Sequence, residues 1–147
     1  MKPAILYREI IATDHSVLHA MWVGTAGLTI RKADSLEGFS AFLKRNPGLS
    51  WLVEVKGKVV GGILGSQDGR FGYIHHLVVL PEFHQRGIGK QLLKLCLDRI
   101  KSTGVEKCHI FINRDNPQGL EFWKKQGWTE RADLSMASIT FDAQSAL

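Results

Sequence analysis

The stretch VLPEFHQRGIGKQLL, residues 79–93, carries the chain from an apolar strand into a helix through two glycines one residue apart, Gly87 and Gly89. Upstream, YIHHLVVL reads as a strand bounded by Pro81. Downstream, Ile88, Leu92, Cys96 and Ile100 form one helical stripe, widened by Leu93, Leu95 and Leu97, with Lys90, Lys94 and Asp98 opposite and Gly104 as the stop. A strand passing through a tight loop into so long a helix implies a mixed α/β domain in which that helix connects two neighbouring strands.

The rest of the chain fits around this unit. AILYREI reads as a first strand, followed by a helix that Asp14 can cap, running to about Val23, and a second from DSLE to about Arg45, with Asp34 as its cap and Glu37 completing a variant capping box. WLVEVKGKVVGGILGSQ is a hairpin turning at Lys56-Gly57-Lys58, and Gly61 and Gly62 point to a bulge or a close neighbour. After the long helix come KCHIFIN as a strand, PQGLEFWKKQG as a short helix, and two weaker strands around WTERA and LSMASITF, with DAQSAL frayed. The order β-α-α-β-β-β-α-β-α-β-β is expected to form one domain over residues 1–147, of the α/β (α+β) class.

The 147 residues, 44% apolar and 22% charged, suffice for one substantial core. MKPAILYREIIATDH lacks a secretory h-region, and no run approaches the roughly 20 apolar residues of a membrane span. Cys96 and Cys108 read as reduced, partly buried thiols, so the chain is expected to be cytoplasmic with no membrane partner. The formal charge of +5 is scattered: Arg31-Lys32, Lys44-Arg45 and Lys124-Lys125 never grow into a basic block. No nucleic-acid partner is expected, and a local anionic ligand accounts for the excess equally well.

Such a ligand also explains the glycines. A glycine weakens a helix because its backbone loses the most freedom on ordering. A helix mouth, however, offers about four unpartnered backbone NH groups and a partial positive charge. Without side chains at Gly87 and Gly89 a diphosphate can approach those groups, with Arg86 and Lys90 beside it, and its charge offsets the glycine cost. The alternative is a tight turn with no ligand. The chain has no GxxxxGK[ST] loop, and the dinucleotide fingerprint lacks its third glycine because residue 92 is Leu.

LVVLPEFHQRGIGKQLL resembles the acyl-CoA pyrophosphate loop of the GCN5-related N-acetyltransferases (GNAT), and NPQGLEFWKKQGW resembles that family's later asparagine-aromatic motif. The likeness is good over roughly residues 50–131 and follows the family order. It implies a GNAT fold with a mixed, largely antiparallel sheet flanked by helices, and acetyl-CoA as cosubstrate. The NH groups of Gln85, Arg86, Gly87, Ile88, Gly89 and Lys90 would cradle the pyrophosphate. Leu77, Val78 and Val79 would pair with the pantetheine arm, the Val79 NH polarising the thioester carbonyl. Asn116 matches the pantetheine-contacting asparagine. His84 stands where the family usually has Arg or Gln. Trp123 stands at a cofactor-site position that often holds an acidic tyrosine; an indole NH is no acid near neutral pH. The CoA thiol, with a free pKa of about 8.5, would then leave as thiolate or take a proton from water.

Acetyl transfer to nitrogen needs a group that accepts a proton near pH 7, and His75 and His76 stand just before the loop. Counted back from Val79, His75 resembles the position of the Glu or His proposed as base in several members of that family, with Tyr73 on the same face; a bulge, common in this strand in the family, would favour His76; water is the third choice. Alternation along a strand sends the two rings to opposite faces, so they are not expected to share a metal, and no metal is expected. The family resemblance assigns acceptor recognition to residues 15–47. The acceptor would be a small-molecule amine or a peptide amine. A homodimer is compatible with the chain, though no residue demands one. The competing class is a CoA-binding sensor without turnover.

Overall fold

The computed structural model describes residues 4–141. In chain order it contains β1 (Ile5–Glu9), α1 (His15–Val23), α2 (Leu36–Arg45), β2 (Trp51–Val55), β3 (Lys58–Gln67), β4 (Gly72–Val79), α3 (Ile88–Ser102), β5 (Cys108–Ile110) and α4 (Pro117–Lys125). The sheet runs β1-β2-β3-β4-β5. Its first three pairings are antiparallel and β4 pairs β5 in parallel. The parallel step needs a crossover, and α3 supplies it. The fold class is therefore the expected mixed, largely antiparallel sheet with flanking helices.

Lys56 and Gly57, at φ of 52° and 76°, form the two-residue turn between β2 and β3, whose left-handed geometry matches the twist of a hairpin. α1 and α2 cover one face of the sheet, burying Leu18, Trp22 and Phe39 against Leu52, Leu64 and Val78. α3 covers the other through Ile88, Leu92, Leu93, Cys96 and Ile100. On β3 the small residues make room: a Cβ on Gly62 would lie 2.9 Å from Leu18 Cδ2.

The chain divides into two compact units, residues 1–111 and 112–147. The second holds α4, whose cap is Asn116: its Oδ1 accepts from the Gly119 NH at 3.0 Å, and Pro117 opens the helix. Trp123 packs there against Phe122 and Trp128, with ring centroids 5.2 and 5.0 Å away.

Two expectations about secondary structure are corrected. WTERA and LSMASITF form no strands, and Leu134, Met136, Ile139 and Phe141 are exposed. An alternating apolar segment becomes a strand only by pairing with another, and no described segment pairs with these. DAQSAL lies outside the described residues. Asp34 is not the cap of α2; Ser35 is, accepting from the Gly38 NH at 3.1 Å. Asp34 closes the 3-10 turn before it, accepting from the Arg31 NH at 2.9 Å. Asp14 likewise closes a 3-10 turn through the Ile11 NH and receives both terminal nitrogens of Arg8 at 2.8 and 2.9 Å.

Candidate active site

Between β4 and α3 the chain makes a 3-10 turn over Pro81–Phe83, then two left-handed residues, Gln85 at φ 59° and Gly87 at φ 78°. Gly87 is the N-cap of the 15-residue α3, and as a glycine it has no side chain with which to cap this end. Its first-turn NH groups therefore face outward with the positive end of the helix dipole behind them. A Cβ on Gly87 would meet nothing within 4 Å, so open space lies over the mouth. The Arg86 guanidinium stacks 5.2 Å from the Phe83 ring, and Lys90 is exposed one turn in. His84 Nε2 donates to the Val79 carbonyl at 2.6 Å, tying the loop to the strand end. These groups fit an anion such as a pyrophosphate.

Beside the loop, β4 beyond Ile74 pairs with no strand on its β5 side among the described residues. β5 pairs only with Gly72, Tyr73 and Ile74. The Leu80 NH bonds the Val60 carbonyl of β3 at 2.8 Å. Backbone groups alternate sides along a strand, so the Val79 NH points away from β3, toward the edge that β5 leaves uncovered. Leu77, Val78 and Val79 lie on this stretch.

Within β4 the pairing runs Gly62 with Val78 and Leu64 with His75, so His76 and Leu77 together oppose Ile63. This bulge holds His76 at φ 46°, a left-handed conformation that costs a non-glycine residue on the order of 1 kcal/mol or more. It also overturns the expected alternation. His76 packs 5.0 Å from Trp22 of α1 and His75 packs 5.7 Å from Phe42 of α2, so both rings lie on the α1/α2 face.

The two rings have different partners. His76 Nε2 lies 2.8 Å from Asp34 Oδ1, with side-chain exposures of 20% and 12%. Burial pushes the Asp34 carboxyl up, but hydrogen bonds from His76 and the Arg31 NH, with the charges of His76 and His19, hold it below the usual carboxylate range. His75 Nε2 lies 3.3 Å from Ser66 Oγ. Burial lowers the His75 pKa, the neighbouring His76 charge lowers it further, and Asp34 opposes both. Tyr73 engages Asp68, His109 and Phe111 rather than His75 or His76.

Asp34, His15 and His19 were not expected here. His15 Nε2 reaches the Asp34 carbonyl at 2.7 Å and its ring lies 5.1 Å from that of His19. The available signal was the adjacent Ser35, which can cap α2 and so release Asp34. Asn116 and Trp123 lie in the second unit, in the cap and packing roles given above. Among the described residues no group of three or more His, Cys, Asp or Glu is placed to hold a metal ion. No described helix is long and apolar enough to cross a membrane.

A profile of the acetyltransferase (GNAT) family matches residues 12–128. An acetyltransferase of Pectobacterium atrosepticum is 31% identical over 83 residues, and the match spans 56% of this chain and 59% of that protein. The crystal structure of Ard1 from Thermoplasma volcanium superposes with a TM-score of 0.76 at 23% identity, over 88% of this chain and 85% of that one. The PaiA N-acetyltransferase of Thermoplasma acidophilum, solved in complex with coenzyme A, gives 0.72 at 21%, over 84% and 88%. AAC(6')-Iy in complex with a CoA-acetylneamine bisubstrate analogue gives 0.75 at 16%, over 93% and 99%.

Proposed function

The chain belongs to the acetyltransferase (GNAT) family, and from that premise we propose that it transfers the acetyl group of acetyl-CoA to a primary amine of a small molecule or a peptide. The observation that carries the reading is the mouth of α3, with left-handed Gly87 as its cap, beside the stretch of β4 that β5 does not pair. The solved neighbours described with coenzyme A or a CoA-linked analogue support the same cosubstrate.

Bound acetyl-CoA supplies a thioester carbonyl open to attack by an amine. The NH groups of residues 85–90, with Arg86 and Lys90, hold its pyrophosphate. Leu77 to Val79 align its pantetheine arm as a neighbouring strand would, and the Val79 NH donates to the thioester oxygen. His76 takes the proton that the amine nitrogen must lose. It suits this role better than His75, whose ring is desolvated and disfavours the charged form.

The test is binding of acetyl-CoA by calorimetry and release of CoA thiol across a panel of benzylamine, putrescine, kanamycin and an alanine-initiated tetrapeptide. Gly89→Glu is the control. A Cβ there meets only Val79 Cγ2, at an ordinary 3.7 Å, so the variant adds a negative charge to the helix mouth without clashing. Thiol release with one acceptor, lost in Gly89→Glu, is expected. Binding without turnover on any acceptor would favour a sensor, and no binding would sink the reading.

A further inference from the structure

Asp34 stands one residue before the cap of α2, and His76 stands in the bulge of β4. The carboxylate uses both oxygens: Oδ2 accepts from the Arg31 NH at 2.9 Å and Oδ1 faces His76 Nε2 at 2.8 Å. An ionised carboxylate only accepts, so the hydrogen sits on Nε2 and a neutral His76 carries its lone pair on Nδ1. Among the described residues Nδ1 has no hydrogen-bond partner. The backbone of Asp34 is held as well, because its carbonyl meets His15 Nε2 at 2.7 Å. Trp22 packs against the His76 ring. The carboxylate is thus anchored at both oxygens, and the ring is supported by both a hydrogen bond and a packed face.

We propose that Asp34 is a positioning residue of the transfer reaction: it fixes His76 as the Nε2–H tautomer and presents Nδ1 to the acceptor nitrogen. The proposal rests on the acetyltransferase reading above. With a neutral amine, the N–C bond to the acetyl group replaces the C–S bond, and the electron pair leaves on sulfur as thiolate. His76 Nδ1 takes the surplus proton of the nitrogen and passes it to water. Asp34 stays ionised and stabilises the imidazolium.

The first test is the tautomer of His76, read from nitrogen-15 spectra of the full chain. The neutral ring is expected as Nε2–H, with that preference lost in Asp34→Ala. A neutral Nδ1–H ring in the wild type overturns the proposal. Should Asp34→Ala fail to fold, the wild-type spectrum and the near-isosteric Asp34→Asn still decide it. The second test is kinetic, with acetyl-CoA and whichever amine of the panel is turned over. Asp34→Asn is expected to lower kcat roughly 100-fold and leave KM for acetyl-CoA within about twofold. It should cause no further loss in a His76→Ala background. An equal loss in both backgrounds means a structural role only and overturns it. Failure of the wild type to bind acetyl-CoA fells the acetyltransferase reading and this proposal together. Normal binding with an Nδ1–H ring fells this proposal alone.

Discussion

Gly65 of β3 lies directly beneath Cys96 of α3: a Cβ on the glycine would come within 2.6 Å of Cys96 Sγ and 2.5 Å of the Leu49 carbonyl oxygen. The same thiol donates to that carbonyl at 3.1 Å. Helix, strand and loop therefore meet where only a hydrogen atom fits. Gly65→Ala must push backbone as well as sulfur, and overpacking of this kind costs about 1–3 kcal/mol. Urea denaturation should show the midpoint falling with an unchanged m-value. A variant as stable as the wild type would mean that α3 can lift off the sheet freely.

The two glycines of the loop should respond oppositely. Gly87 is left-handed with open space around it, so alanine there suffers backbone strain of about 1 kcal/mol and nothing else. Gly89 lies within α3 and has room for a methyl group. Gly89→Ala should gain about 0.5 kcal/mol from helix propensity. Thermal melts of the pair decide the matter, and equal shifts in one direction would contradict the left-handed cap.

His75 should make stability fall in mild acid. Its pKa is lowered in the folded chain, chiefly by burial, so below about 6.5 the unfolded chain binds a proton that the folded one resists. The unfolded state then holds more protons and stability rises with pH. The stabilisation is complete above about pH 6.5 and is lost as pH drops toward the lowered folded value, with a slope of at most about 1.4 kcal/mol per pH unit. Asp34 titrates below its ordinary 3.8 and leaves this window clear. Urea curves at pH 7.5 and 5.5 should show a smaller difference for His75→Gln than for the wild type.

Neither thiol should react quickly in the native chain. Burial pushes Cys108 up to about 11, and burial together with the neighbouring Cys108 pushes Cys96 higher still. At pH 8 only about one Cys108 in a thousand is thiolate. Labelling with a disulfide reagent should therefore be slow at Cys108, and at Cys96 it should wait on unfolding. Two equivalents should appear promptly in urea, and fast native labelling of either would refute the burial described here.

Asp14 should matter more than an exposed ion pair would. Its carboxylate receives Arg8 through two nitrogens and the Ile11 NH through a third bond, and its side chain is only 10% exposed. Asp14→Ala removes three hydrogen bonds, leaving the Ile11 NH without an acceptor while Arg8 keeps only the Glu9 carbonyl and Glu54, and should cost about 1–3 kcal/mol. Loss of less than about 0.5 kcal/mol by urea denaturation would show that water replaces the carboxylate without penalty.

By itself the sequence determined the elements whose signals are local. The stripe of Ile88, Leu92, Cys96 and Ile100 specifies α3, Lys56-Gly57 specifies the hairpin, and Gly87 before Ile88 specifies an open helix mouth, because periodicity and backbone freedom act over a few residues. Tertiary structure alone decided the rest. WTERA and LSMASITF have the composition of strands but find no strand to pair with among the described residues, and pairing is a long-range event. The extra residue at His76 is invisible in YIHHLVV because a bulge is defined against its partner strand; it turns both histidines to one face. Asp34 and Ser35 compete locally for one cap, and only the approach of β4 from 42 residues away gives the carboxylate its imidazole.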